Sequence, residues 1–153
     1  MLASAFGGNI DNWRPGAGSR VFLPVAVPGA LLSVSDPHAA QGDGEVAGTA
    51  IECSLTGRIR LHLHRRNTTR GMLRDLTYPL IATPDAWITQ GLSHPNYLAE
   101  LGSTAQSDVY KKSSLDAAMR DAFRKARRFL MASYGLSEDE AIAIRKSILP
   151  PRR

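Results

Sequence analysis

A single cysteine, Cys53, stands in 153 residues. An internal disulfide is thereby excluded, and a redox pair or a cysteine-based zinc cluster is argued against. Long apolar runs are missing too: none approaches the roughly 18 residues that a membrane span requires, so no membrane is expected as a partner. The opening MLASAFGGNIDNW carries neither a basic leader nor an apolar signal core, and a cytoplasmic location is expected. Aromatic residues make up only 7% and are not interleaved with the basic ones, which removes the stacking platform of a single-strand nucleic-acid binder.

What the chain does have is 43% apolar residues, enough to build a core, and a formal charge of +5 from 19 Lys and Arg against 14 Asp and Glu. The excess falls in two blocks, Arg58, Arg60, Arg65, Arg66, Arg70 and Arg74, then Lys111, Lys112, Arg120, Arg124, Lys125, Arg127 and Arg128. Both read as solvated faces or contacts to another subunit in preference to nucleic-acid surfaces.

The pattern changes along the chain, and one domain over 1–153 is expected, with 1–92 mainly strands and loops and 113–149 helical. Arg20–Val27, Leu31–Val34 and Val46–Ile51 are β-rich. In 58-RIRLHLH-64 apolar and polar residues alternate strictly, predicting a strand with Ile59, Leu61 and Leu63 buried and Arg58, Arg60, His62 and His64 exposed. Val46–Ile51 and Arg58–His64 are expected to form a hairpin around 53-CSLTG-57. Two prolines in 75–92 suggest edge strands and turns.

From Ser113 the period turns helical, with Leu115, Ala118, Met119, Ala122, Phe123, Ala126, Phe129 and Leu130 on one face. Ser113 or Ser114 is placed to cap it and Gly135 to end it. A second helix begins at Ser137 with Glu140 as its capping-box partner, and Pro150-Pro151 is expected to stop it.

Chemistry concentrates in 36-DPHAAQGDGE-45, which holds three acids, a histidine, a glutamine and two glycines. Asp36 and His38 are two positions apart, so in an extended segment both side chains reach one metal ion. Asp43 and Glu45 repeat that spacing, and so many ionisable groups titrate abnormally unless water, a base or a cation compensates them. A wet acidic turn is the plainer reading. A second polar turn, 7-GGNIDNWRPG-16, offers Asn9 and Asp11, and shares in chemistry only if it folds back against Asp36–Glu45. His62 and His64 are expected to be solvated or interfacial, His94 structural, and Cys53 a small core residue. As an alternative nucleophile Cys53 lies beside Glu52, but neighbours in a strand face opposite ways. Ser33, Ser35 and Ser54 lack the partners of a triad.

Taken together, 7-GGNID-11, 23-LPVAVPGALLSVSD-36, 38-HAAQGDGE-45 and 48-GTAIE-52 resemble the acetamidase/formamidase family of linear-amide hydrolases. The resemblance is most specific from Gly7 to Glu52. It implies an α+β fold, β-rich and sandwich-like with a C-terminal helical pair, that hydrolyses the carbon–nitrogen bond of a small amide such as formamide or acetamide. It also implies a divalent metal ion, zinc or calcium, and a homo-oligomer or a complementary polypeptide. Asp36, His38, Asp11 and Asp43 are the metal-ligand candidates; Glu45 or Glu52 is the proton-transfer candidate, and Asn9 and Gln41 are candidates for holding an oxyanion. Ser35 stands where the family pattern has glycine. Relative to that pattern the chain is expected to lack the upstream half and the extreme C-terminal segment, so a structural or oligomerising remnant is the alternative to an active amidase.

Overall fold

Prolines and left-handed residues cut the expected strands short. The computed structural model describes residues 3–104, 108 and 110–148; Pro150-Pro151, expected to stop the last helix, lies outside the described residues. The class is the expected α+β, with small β-sheets first and a C-terminal helical pair last. Of the run Arg20–Val27 only β1, Arg20–Phe22, is a strand, because Pro24 has no amide hydrogen to give a ladder. Leu31–Val34 is not a strand: Ala30 and Leu31 sit at φ of 60° and 53°, which breaks extension. Within Val46–Ile51, Gly48 at φ 83° does the same.

Two compact units result, one from Met1–Leu63 with Thr77–Ile88, the other from His64–Leu76 with Thr89–Arg153. In the first, β1 pairs antiparallel with β4, Leu80–Ala82, setting Val21 opposite Ile81. β5, Trp87–Thr89, lies on the other side of β4. The segment 75–92 therefore supplies a central strand as well as an edge, with Pro79 and Pro84 just outside the ladder. Tyr78, Leu80 and Ile81 are buried on it, and Phe22 stacks on Trp87 at 5.9 Å between ring centroids.

A second, two-stranded sheet joins β2, His38–Ala40, to β3, Ile51–Glu52, antiparallel, with a register shift between His38 and Ala40. This corrects the expected hairpin: Ile51 pairs backwards with Ala40, not forwards across 53–57. Arg58–His64 forms no ladder among the described residues, and Ile59, Leu61 and Leu63 are 61%, 71% and 70% exposed. Alternation specifies which face a strand would bury, but a strand also needs an edge to pair with, and none is offered here.

The second unit is helical. A short helix α1, Tyr97–Glu100, precedes α2, Leu115–Tyr134, and α3, Glu138–Ile148. Ser114 Oγ accepts from the Ala117 amide and Gly135, at φ 66°, closes α2 by donating to the Met131 carbonyl. Ser137 and Glu140 bond reciprocally at the start of α3. Ala141 is fully buried and α2 packs against α3.

The buried face of α2 differs from the expected one. Leu115 and Met119 are exposed, whereas Lys125, assigned to a basic block, is 4% exposed. Its ammonium lies 2.5 Å from Asp121 Oδ2 and donates to the Gln90 carbonyl, while Asp121 accepts from the Leu92 amide. Gly91 allows this approach, since a Cβ there would fall 1.9 Å from the Ala118 carbonyl oxygen. A salt-bridged lysine at i, i+4 thus fills a place that apolar periodicity assigns to alkyl groups.

Candidate active site

The register of the small sheet builds the site, because it sets His38 opposite Glu52. Residues paired across strands have neighbouring side chains, and Glu52 Oε2 lies 3.0 Å from His38 Nε2. The other Glu52 oxygen accepts from Thr49 Oγ1 and the Ala50 amide, which fixes the carboxylate. Asp36 Oδ1 is 3.4 Å from the same nitrogen and Glu45 Oε1 is 3.7 Å away. Ligand atoms of Asp36, His38 and Glu52 all lie within 4.8 Å of one another.

The imidazole is oriented from behind. Its Nδ1 is 2.9 Å from Gln41 Oε1, an atom that only accepts, so Nδ1 carries the proton and Nε2 keeps the lone pair of the neutral ring. That Nε2 is buried and makes no hydrogen bond, and the same holds for Gln41 Nε2. A buried polar atom left unsatisfied costs about 1–3 kcal/mol and asks for a ligand. The donor set of one imidazole nitrogen and carboxylate oxygens fits a divalent metal ion.

Three acids of this cluster hold left-handed backbone: φ is 49° at Asp11, 67° at Asp36 and 41° at Glu45. They are three of the five non-glycine positive-φ residues among those described. Such conformations cost of order 1–3 kcal/mol each and gather at functional sites. Gly44, at φ 78°, completes the turn Asp43–Glu45 and donates its amide to the Asp11 carbonyl at 2.7 Å. The polar turn at 7–16 therefore does fold back onto the acidic loop. Trp13 Nε1 makes a second tie, donating to Asp43 Oδ2 at 3.1 Å.

Electrostatics follow from the crowding. Burial pushes the Asp11 carboxyl above its ordinary range, opposed by its hydrogen bond with Glu45. Burial and then the charge of Asp11 push Glu45 up as well. Both carboxyls therefore hold a proton to higher pH than free side chains do. The Gln41 bond, helped by the charges of Glu52, Asp36 and Glu45, raises His38 above 6.5 against the effect of burial.

Asp36, His38, Gln41, Glu45, Glu52 and Asp11 are therefore assembled in one place. Asp43 turns to Trp13 instead, and Asn9 is exposed with no side-chain bond to the cluster. Cys53 is half-buried and its Sγ lies 3.7 Å from the Pro37 carbonyl. His94 is occupied at both ring nitrogens by Glu100 and the Lys112 carbonyl. Sequence reasoning missed Trp13 and Thr49; the only trace of the first is its place two residues after Asp11 in 9-NIDNW-13.

The sequence model of the Acetamidase/Formamidase family matches residues 3–148. The chain belongs to this family. It is 32% identical to the formamidase of Methylophilus methylotrophus over 143 residues, which is 90% of this chain and 32% of that protein. It is 55% identical to the acetamidase of Mycolicibacterium smegmatis over 40 residues, covering 26% of this chain and 10% of that one. The chain thus spans about a third of the length of that formamidase and a tenth of that acetamidase. Within the family frame, the clustered Asp36, His38 and Glu52 are a candidate metal-binding triad. No helix among the described residues is long and apolar enough to cross a membrane.

Proposed function

We infer that this chain carries the hydrolytic site of a metal-dependent linear amidase, acting on small carboxamides to give carboxylate and ammonia. The carrying observation is the buried His38 Nε2, free of hydrogen bonds and ringed by carboxylates. Asp36, His38 and Glu52 would hold the ion, and the imidazole among them favours zinc over calcium, which takes six to eight oxygens. The bound ion supplies Lewis acidity, polarising a carbonyl oxygen and acidifying water.

Glu45 is the proton carrier. Its carboxyl is 14% exposed and shifted upward, towards the range where one group both takes and returns a proton near neutrality. It removes a proton from water as the oxygen adds to the amide carbon, then returns it to nitrogen as the carbon–nitrogen bond breaks. Asp11, bonded to Glu45, holds that carboxyl in place. Gln41 orients His38 with its oxygen, and its unbonded Nε2 is a donor for the developing oxyanion.

The test is ammonia release from formamide and acetamide by zinc-loaded protein, with Glu45→Gln and His38→Ala as controls. Release above both controls supports the amidase. Folded protein that binds zinc through His38 yet releases no ammonia supports the second reading, a family module whose pocket another polypeptide completes. The exposure of Val25, Leu31, Leu32, Val34 and Leu55 favours that second reading.

A further inference from the structure

The segment Arg58–Leu63 carries the alternation of a strand without a partner. Residues 58–63 form no ladder or bridge among the described residues. Ile59, Leu61 and Leu63 stand in solvent, as does Leu55 earlier in the chain. An extended, apolar and unpaired stretch is a template for another chain, which natural proteins normally bulge, cover or cap with charge. Here the charge is of one sign. Arg58 and Arg60 share the polar face with His62, and the arginines that form ion pairs among the described residues are Arg66 and Arg127.

We propose that Arg58–Leu63 is a docking edge that takes up one extended segment of a separate polypeptide, an alternating apolar and acidic one, as an added β-strand. Backbone hydrogen bonds supply the pairing, and the side chains choose the partner. Apolar residues meet Ile59, Leu61 and Leu63 on one face, and carboxylates meet Arg58 and Arg60 on the other as opposite-charge pairs across strands. A second copy of this chain is the poorer occupant. Antiparallel registers that keep the apolar face continuous set Arg60 opposite His62, or Arg58 opposite Arg60, and a parallel one sets each arginine against itself. The apolar face has no counterpart in a nucleic-acid backbone.

The experiment uses the full chain and a fluorescein-labelled heptapeptide of alternating glutamate and valine, followed by fluorescence anisotropy. A lysine and valine peptide of the same pattern is the charge control. Saturable binding of the acidic peptide, at least tenfold tighter than the basic one, is expected. Arg60→Glu reverses that preference, and Leu61→Asp weakens binding tenfold or more. All these side chains are exposed, so both variants keep the wild-type circular dichroism and thermal transition. Bound peptide protects the amides of 58–63 from hydrogen exchange, which a merely electrostatic contact does not. Equal affinity for the two peptides, or binding without that protection, overturns the proposal. A dimer in sedimentation that Leu61→Asp dissolves also overturns it, assigning the edge to a second copy. None of these readouts depends on amide hydrolysis or a bound metal.

Discussion

His38 Nδ1 and Gln41 Oε1 lie 2.9 Å apart, and this single bond decides which face of the imidazole is available for chemistry. Partners behind a histidine ligand typically change metal affinity 10–100-fold when removed. Gln41→Ala should therefore weaken divalent-ion binding by about that factor in calorimetry. Gln41→Glu keeps an acceptor for Nδ1 but removes the Nε2 donor. It is expected to hold the ion while ammonia release falls about 100-fold, the cost of one oxyanion donor.

Glu45 gives a prediction about proton transfer and one about pH. Glu45→Gln should reduce ammonia release about 10²–10⁴-fold with ion affinity little changed. For stability, the sign follows from the raised Asp11, Glu45 and His38. The folded state holds protons that the unfolded state has released above ordinary values of 3.8, 4.5 and 6.5, so their contribution is lost as pH rises through the folded values. In metal-free protein the Tm of Glu45→Gln should therefore gain on wild type as pH rises from 4 to 7. Saturating divalent ion should abolish that gain. A constant difference across the range would contradict the upward shift of Glu45.

Trp13 acts through the turn that presents Glu45. Trp13→Phe removes the Nε1 donor to Asp43 and should cost about 0.5–1.5 kcal/mol of stability in urea unfolding. Asp43→Ala should cost a similar amount. Because the two share one bond, the double variant should fall short of the sum of the singles. Strict additivity would show that the bond does not persist in solution.

Lys125 makes a prediction for the helical unit alone. Lys125→Met leaves the half-buried Asp121 without its cation and should destabilise by about 1–3 kcal/mol. Adding Asp121→Asn should recover part of that loss, read as thermal midpoints of the single and double variants.

The helical half was the more legible in sequence, because its signals are local. Ser114, Gly135, Ser137 and Glu140 bond to backbone groups within four residues, so spacing alone places them. Lys125 was misread because its partner carbonyl at Gln90 is distant in sequence and residue type says nothing of it. In the β half, Arg20–Phe22 is visible as β propensity, but its length depends on Pro24, and its partner Leu80–Ala82 lies some sixty residues away. Arg58–His64 shows the limit most clearly: alternation names the faces of a strand and not the edge it pairs with. For the site, Asp36 and His38 were legible from their spacing, and their company in the family motifs pointed to Gln41, Glu45 and Glu52. The opposition of His38 to Glu52 was not, since it depends on a register shift inside a three-residue strand. Nor does any residue type announce left-handed backbone at Asp11, Asp36 and Glu45.

The central claim is that His38 Nε2 ligates a divalent ion together with Asp36 and Glu52. Zinc titration of the metal-free chain by isothermal calorimetry, in wild type and in His38→Ala, Asp36→Ala and Glu52→Ala, tests it most directly. One site per chain in wild type, weakened tenfold or more in each variant while the fold is retained, is the expected result. Zinc affinity unchanged in His38→Ala would contradict it.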